Sequence, residues 1–321
     1  MIDVAVIIPR QYKLLSVAAL LDVMETVNKN LRAAGRDDAY DITLLLPVND
    51  LPEHHFRNYN VRSLDDGYRA QLVLVPSFTT EDISETVRQN KAFIPWIAAQ
   101  YEQGAELASF CTGAFLLAAT GLLDGKVATT HVDASRSFAR IFPEVLLMPD
   151  KTVTQDGRIY TSGGSTSTFH LLLHLVQRHC GKELAIRMAK IFAIDMDRHN
   201  QTYFSTFHPS RNHTDDLVAT AQDKIESSYH SSGTIEEMIR DIPSSRRNMV
   251  RRFKQVTGVT PIEYLQLTRI EAAKKLLEQT AQQMTEVILN TGYNDPKAFR
   301  KVFRKTVGMT PTEYREKFQV K

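Results

Sequence analysis

The chain has 321 residues, of which 43% are hydrophobic and 24% charged, with a formal net charge of +2 and two cysteines, Cys111 and Cys180. That balance is ordinary for a soluble globular protein, and the length suits two domains better than one core. Two cysteines exclude a disulfide framework, and no run reaches the ~18–20 apolar residues that span a bilayer. MIDVAVIIPR reads as a first strand and not a signal peptide, so a cytoplasmic setting without a membrane partner is expected. The charge is uneven: from Thr234 onward there are 17 Lys+Arg against 10 Asp+Glu, while residues 1–233 hold 22 against 27. A basic final third on a mildly acidic body points to a polyanion partner for that third only.

In chain order, VAVII (4–8), ITLLL (42–46), QLVLV (71–75) and ELASF (106–110) are short apolar runs suited to strands buried on both faces. Helical patterns at 14–32, 81–102 and 112–120 separate them, which predicts a flavodoxin-like α/β sandwich around a mostly parallel sheet. KVATTH (126–131), VLLMPD and TVTQDGRIYTSGG supply further strands, with a hairpin at Asp156-Gly157. A buried helix is expected from about Ser165 to His179, ended by Gly181. The segment 195–214 loses periodicity and reads as a linker, giving domains over 1–194 and 215–321. Beyond it only amphipathic helices appear.

Cys111 stands between a strand and a helix, where a helix N-terminus lowers a thiol's pKa and its free N–H groups can cradle an oxyanion. Gly113 and Ala114 let that turn be tight. His131, at the end of the following strand, can meet Cys111 if the two strands are neighbours in a parallel sheet. The bland alternative is an inert buried thiol and a strand-end histidine. His54-His55 has no further ligands nearby. His170 and His174 lie one turn apart on the buried helix without an HExxH pattern, and read as satisfied core residues; no metal and no cofactor is expected. Cys180 reads as structural. Gly163-Gly164 precedes a helix and can approach an anion, but no phosphate-loop spacing supports a nucleotide.

The helical part contains a repeat. RRFKQVTGVTPIEYLQ (251–266) and KVFRKTVGMTPTEYRE (301–316) align without gaps at an offset of 50 residues. In both, Gly ends one helix, and Thr, Pro and Glu cap the next. Within MTEVILNTGYNDPKAFRKVFRK, Gly292 allows a turn and Asn294 or Asp295 can cap a helix. Phe299, Val302 and Phe303 then share one face of it, and Lys297, Arg300, Lys301, Arg304 and Lys305 the other. Such a helix suits a major groove, with lysines on phosphates and arginines on base edges. In the first copy Ser245 can cap SRRNMVRRFKQ; Met249, Val250 and Phe253 are expected inward, and Arg247, Asn248, Arg251 and Arg252 outward.

On these motifs residues from about 215 to 321 resemble the AraC-type DNA-binding domain, two helix-turn-helix units joined by a long helix, here Pro261–Gln279. The resemblance implies that two helices enter successive major grooves about one turn apart. IPSS (242–245) departs from that pattern, since Pro243 cannot take the positive φ of the Gly usually found before the capping Ser.

SFCTGAFLLAATGLLDGKVATTH and TSGGSTSTFHLLLHLVQRHCGKELA resemble the ThiJ/PfpI superfamily, a class I glutamine-amidotransferase-like fold, and in particular GlxA-like regulators that add an AraC-type domain. The resemblance implies a pocket lined by Ser16, Cys111, Thr112, His131 and Gly164. Catalytic members pair the elbow Cys with a His and an upstream acid. Cys111 and His131 match, but Ser16 holds the acid's place and supplies no carboxylate, so they stand as vestigial catalytic candidates. The leading expectation is a sequence-specific, double-stranded-DNA-binding transcription regulator that responds to a small nitrogenous effector. Dimerisation through the first domain and contact with RNA polymerase accompany it. A cysteine-dependent hydrolase or amidase with a DNA-binding tail is the runner-up.

Overall fold

The computed structural model describes residues 1–47, 56, 58–207, 209, 211 and 213–319. His54 and His55 lie outside the described residues. Two compact units divide the chain, Met1–Gln201 and Thr202–Lys321. The segment 195–214 expected as a linker is shared between them: Gln201 is buried in the first, and Tyr203 joins a core of the second.

In the first unit the strands are β1 (Ile2–Ile7), β2 (Tyr40–Leu46), β3 (Asn60–Ser63), β4 (Leu72–Val75), β5 (Glu106–Phe110), β6 (Val127–Ala128), β7 (Leu146–Leu147), β8 (Val153–Asp156) and β9 (Ile159–Ser162). The helices are α1 (Leu14–Ala33), α2 (Ile83–Gln89), α3 (Phe93–Glu102), α4 (Gly113–Ala118), α5 (Ser135–Ile141), α6 (Ser167–Cys180) and α7 (Lys182–Ile191). Seven strands form one sheet in the order β3-β2-β1-β4-β5-β9-β8, parallel except for β8 against β9. Continuous apolar strands follow from burial on both faces. Val4, Val6, Leu72 and Leu74 pack into a core with α1, α6 and α7; Ala5, Ile7, Val73 and Val75 pack into another with α3, α4 and α5.

Two expectations need correction. The helix expected over 81–102 is broken at Asn90, whose side chain is buried and accepts from the Arg10 N–H at 2.7 Å. The strand in KVATTH does not join the main sheet: β6 pairs only with β7, and the neighbour of β5 on that side is β9. His131 therefore reaches the elbow from the two-stranded β6-β7 sheet and not from an adjacent parallel strand.

The second unit consists of α8 (Asp216–Ser228), α9 (Ile235–Met238), α10 (Arg246–Thr257), α11 (Pro261–Gln279), α12 (Met284–Asn290), α13 (Pro296–Val307) and α14 (Pro311–Phe318), after a short 3-10 turn at Thr202–Phe204. It holds two small cores, one around Phe253 and Tyr264, the other around Phe299, Phe303 and Tyr314. The repeat is structural as well: Thr260–Glu263 and Thr310–Glu313 form reciprocal capping boxes at the starts of α11 and α14. The hydroxyls of Tyr264 and Tyr314 donate to Glu226 and Glu278 in equivalent places. Arg269 of α11 joins the two halves, donating to the carbonyls of Tyr229 and Ser231 while its guanidinium lies over the Tyr293 ring.

Candidate elbow pocket and nucleic-acid interface

Cys111 follows β5 directly and has φ +55°, a left-handed conformation that costs a non-glycine residue about 1–3 kcal/mol unless its surroundings impose it. They do. Its N–H donates to the Ser162 carbonyl at 3.0 Å, and its carbonyl accepts from Thr130 Oγ1 at 3.0 Å. Next to it, Thr112 Oγ1 accepts from the Phe78 N–H at 3.0 Å and donates to the Phe78 carbonyl at 2.8 Å. Gly113 permits this docking, since a Cβ there would stand 2.4 Å from the Val75 carbonyl oxygen. The elbow is thus clamped to the loop leaving β4.

The chemistry differs from an activated thiolate. Cys111 is fully buried, and burial pushes its thiol up, outweighing the Lys13 ammonium and the Thr112 backbone N–H that favour the thiolate. The lowering expected from the helix N-terminus is overturned because desolvation acts on the charged form more strongly. His131 is half-buried, and burial holds its pKa down; exposed Asp133 opposes this and Lys13 adds to it. Its Nδ1 accepts from the Asp133 N–H at 3.2 Å, which leaves Nε2 as the donor of the neutral ring. No hydrogen bond joins Cys111 to His131 among the described residues. Ser16 is buried, and its hydroxyl accepts from the Ser77 N–H at 3.0 Å, tying α1 to the same loop.

Gly164 contributes space: a Cβ there would lie 3.5 Å from His131 Cδ2. Its N–H is taken by Gln201 Oε1 at 2.9 Å, and a Cβ on Gly163 would overlap the same amide. The anion approach expected at Gly163-Gly164 is therefore filled by Gln201, whose amide also donates to the Thr130 and Pro149 carbonyls. Sequence reading missed Gln201 and Lys13. Neither stands in a motif, and only the fold brings them to the elbow. His170 and His174 bond the Asp195 carbonyl at 2.9 Å and Gln155 Oε1 at 3.1 Å, and no metal-capable group of three or more His, Cys, Asp or Glu residues occurs among the described residues. Cys180 donates to the Tyr40 hydroxyl.

In the second unit, α13 buries Phe299, Phe303 and Val307 and exposes Lys297, Arg300, Lys301, Arg304 and Lys305. Asp295 caps it, accepting from the Lys297 N–H at 2.8 Å, while Asn294 stays exposed. Gly292 before it has φ +80°, and a Cβ there would stand 2.3 Å from the Tyr229 carbonyl oxygen. Helix α10 is capped by Ser245, which accepts from the Asn248 N–H at 3.3 Å. Arg247 and Arg251 are exposed, and Arg251 donates to Asn248 Oδ1 at 3.1 Å.

One expectation for α10 fails, and one outward residue has a partner that the sequence did not show. Val250 points outward, 36% exposed, beside a cavity of about 360 Å³ lined by Ile239, Ile242, Met249 and Ile262 among others. Arg252 is held in a two-bond pair with Asp215, at 2.8 and 2.9 Å. The pair forms because Asp215, capping α8, lies beside α10; a helical wheel shows only the residue's own helix.

Residues 80–178 match the model of the DJ-1/PfpI family, and residues 240–317 match a helix-turn-helix domain model. The chain is thus similar to a DJ-1/PfpI domain in its first half and to a helix-turn-helix domain near its end. The DJ-1/PfpI match contains Cys111, His131 and Gly164 but not Lys13 or Ser16. Among curated relatives, the HTH-type transcriptional regulator GbdR of Pseudomonas aeruginosa is 27% identical over 70% of this chain and 61% of its own length. The regulator GlxA of Rhizobium meliloti is 25% identical over 67% of this chain and 66% of its own. The activator RhaR of Mannheimia succiniciproducens is 44% identical over 22% of this chain and 25% of its own length. The chain thus spans under two thirds of GbdR. A solved protein from Vibrio parahaemolyticus superposes over 59% of this chain and 98% of its own with a TM-score of 0.51 at 21% identity, a likeness of fold alone. No helix of the described residues is long and apolar enough to cross a membrane.

Proposed function

We propose that the chain is a sequence-specific transcription regulator. Its AraC-type domain reads double-stranded DNA, and its DJ-1/PfpI domain takes a small nitrogenous metabolite near Cys111. The observation that carries the reading is α13: five exposed cations without an acidic partner in ion-pair range among the described residues, on a helix anchored by buried aromatics. A solvated face gains from interspersed acids, whereas a groove-entering helix keeps its cations free for phosphates and base edges. The contacts assigned to DNA are Ser245, Arg247, Asn248 and Arg251 from the first helix-turn-helix, and Asn294, Lys297, Arg300, Lys301 and Arg304 from the second. Ser16, Cys111, Thr112, His131 and Gly164 frame the effector site, in a cytoplasmic homodimer paired through the DJ-1/PfpI domain and in contact with RNA polymerase. Hydrolysis at Cys111 is disfavoured, since it needs a thiolate that burial opposes and a carboxylate that Ser16 does not supply. The test is a gel shift of the full chain on DNA upstream of the genes it controls. Arg300→Ala should weaken the specific complex; unchanged affinity and specificity would reject α13 as a reading helix.

A further inference from the structure

The two helix-turn-helix copies serve as controls for each other. Helices α10 and α13 each run twelve residues from their caps, and the 50-residue offset holds into the starts of α11 and α14. Where α13 buries Phe299 against Tyr293 and Phe303, α10 has Met249. Where the second copy exposes Arg300 and Thr312, the first has Val250 and Ile262, 36% and 45% exposed. A flexible thioether in place of a stacked ring leaves room, and two aliphatic side chains stand at its mouth where the second copy puts polar ones.

That room is the cavity of about 360 Å³ between α9, α10 and the start of α11, a volume within the ~300–1,000 Å³ of small-molecule sites. Its walls are aliphatic, with Ile235, Ile239 and Ile242 facing Met249, Val250 and Ile262. The charged residues that line it are Glu236, Arg240 and Arg246, and Glu236 is joined to Arg246 at 2.9 Å. Arg240 is therefore the cation in excess. Its contact with Asp241 at 3.8 Å joins side chains that are 82% and 72% exposed, and such a pair is worth little. Ser244 and Thr260, the other polar residues of the lining, are engaged with Asn248 and Glu263. Val250 and Ile262 are the only large aliphatics of the lining that are exposed. That is too little for a protein partner, whose interface buries upward of ~1,000 Å², and enough for one chain or ring of a small molecule.

We propose that this cavity binds a small amphipathic monocarboxylate, its apolar part against Ile239, Met249 and Ile262 and its carboxylate on the Arg240 guanidinium. The site is separate from the elbow and does not depend on the effector reading there. A carboxylate can take two parallel bonds from a guanidinium, an uncharged head takes none of that charge, and a cationic head is repelled by it. An inorganic anion has nothing to set against the aliphatic walls. Met249 and Val250 share α10 with the outward Arg247 and Arg251, so the occupant packs directly on the first helix assigned to DNA.

The experiment is a titration of the full chain, carrying carbon-13 in its methionine methyl groups, with octanoate below its micelle concentration. Octanamide, octylammonium, acetate and inorganic phosphate are run beside it at matched ionic strength, and Met249→Leu identifies the Met249 resonance. Octanoate should shift that resonance saturably, octanamide should bind at least fivefold more weakly, and the other three should give no saturable shift. Arg240→Gln should bring octanoate down to the affinity of octanamide. Ile262→Thr, which installs the residue of the second copy, should weaken both at least threefold, and Val250→Thr repeats that test should Ile262→Thr unfold. An unshifted melting midpoint checks the fold of each variant. Octanamide or octylammonium binding as tightly as octanoate, or undiminished octanoate binding in Arg240→Gln, would overturn the carboxylate assignment. Acetate or phosphate matching octanoate, or undiminished binding in the folded wall variant, would overturn the apolar half. If no probe moves the Met249 resonance, the cavity is not a site for this class and the proposal fails.

Discussion

The helices Arg246–Thr257 and Pro296–Val307 share a buried phenylalanine, a glycine stop and the capped helix that follows, and they differ in what their cations touch. In the second, all five outward cations are exposed and none has an acidic partner in ion-pair range among the described residues. In the first, Arg252 is bound to Asp215, and Arg246 lies 2.9 Å from Glu236. A count of arginines makes the two equivalent; their neighbours do not. The first helix-turn-helix spends cations on docking α10 to α8 and α9, while the second docks by the aromatic face, the Asp295 cap and the Gly292 turn. Pro243 in the first turn fits that difference, for the first unit has no glycine to set the entry angle of its helix.

The largest expected effect tests whether the shared part is shared. Phe253→Ala and Phe303→Ala each remove a fully buried ring, and each should cost about 3–5 kcal/mol by urea unfolding. A cost below ~1 kcal/mol for either would mean that the two cores are not equivalent. The next effect tests the difference. Arg300→Ala should weaken specific DNA binding by about 1–3 kcal/mol, roughly 5–150-fold. A smaller difference concerns salt: Lys301→Gln should lower the slope of log K against log salt by about 1, and Arg252→Gln should leave it unchanged. A slope lowered equally by Arg252→Gln would mean that the Asp215 pair opens on DNA.

What was legible in the sequence was whatever repeats along one element. Apolar runs of four or five residues marked β1, β2, β4 and β5, and the 50-residue offset marked both helix-turn-helix units, since capping and burial act within a turn or two. What required partners distant in the chain was not legible. Asn90, where the helix breaks, accepts from the N–H of Arg10, 80 residues away. Gln201 fills the Gly163-Gly164 cradle from a stretch without motif. Cys111 sits at the elbow where the pattern placed it, but the direction of its pKa depends on burial by residues no motif specifies. Lys13, one turn before Ser16, comes to the elbow only once α1 is docked on the sheet.

The smallest effect concerns acid. The Arg252 hydrogen bonds hold the Asp215 carboxyl below the usual aspartate range, helped by the Val218 N–H and opposed by partial burial. A carboxyl depressed in the folded state contributes stability that is present above its unfolded value, about 3.9, and is lost as pH falls through the folded value. In the second helix-turn-helix Glu313 is depressed through Thr310, so acid weakens that one too. Only the first has the Asp215 pair in addition. Below about pH 4 amide exchange should therefore open α8 and α10 before α12 and α13, and Asp215→Asn should level the two. If α13 exchanges first in the parent, the ion pair is not what docks α10, and the contrast between the two helix-turn-helix repeats reduces to their turns.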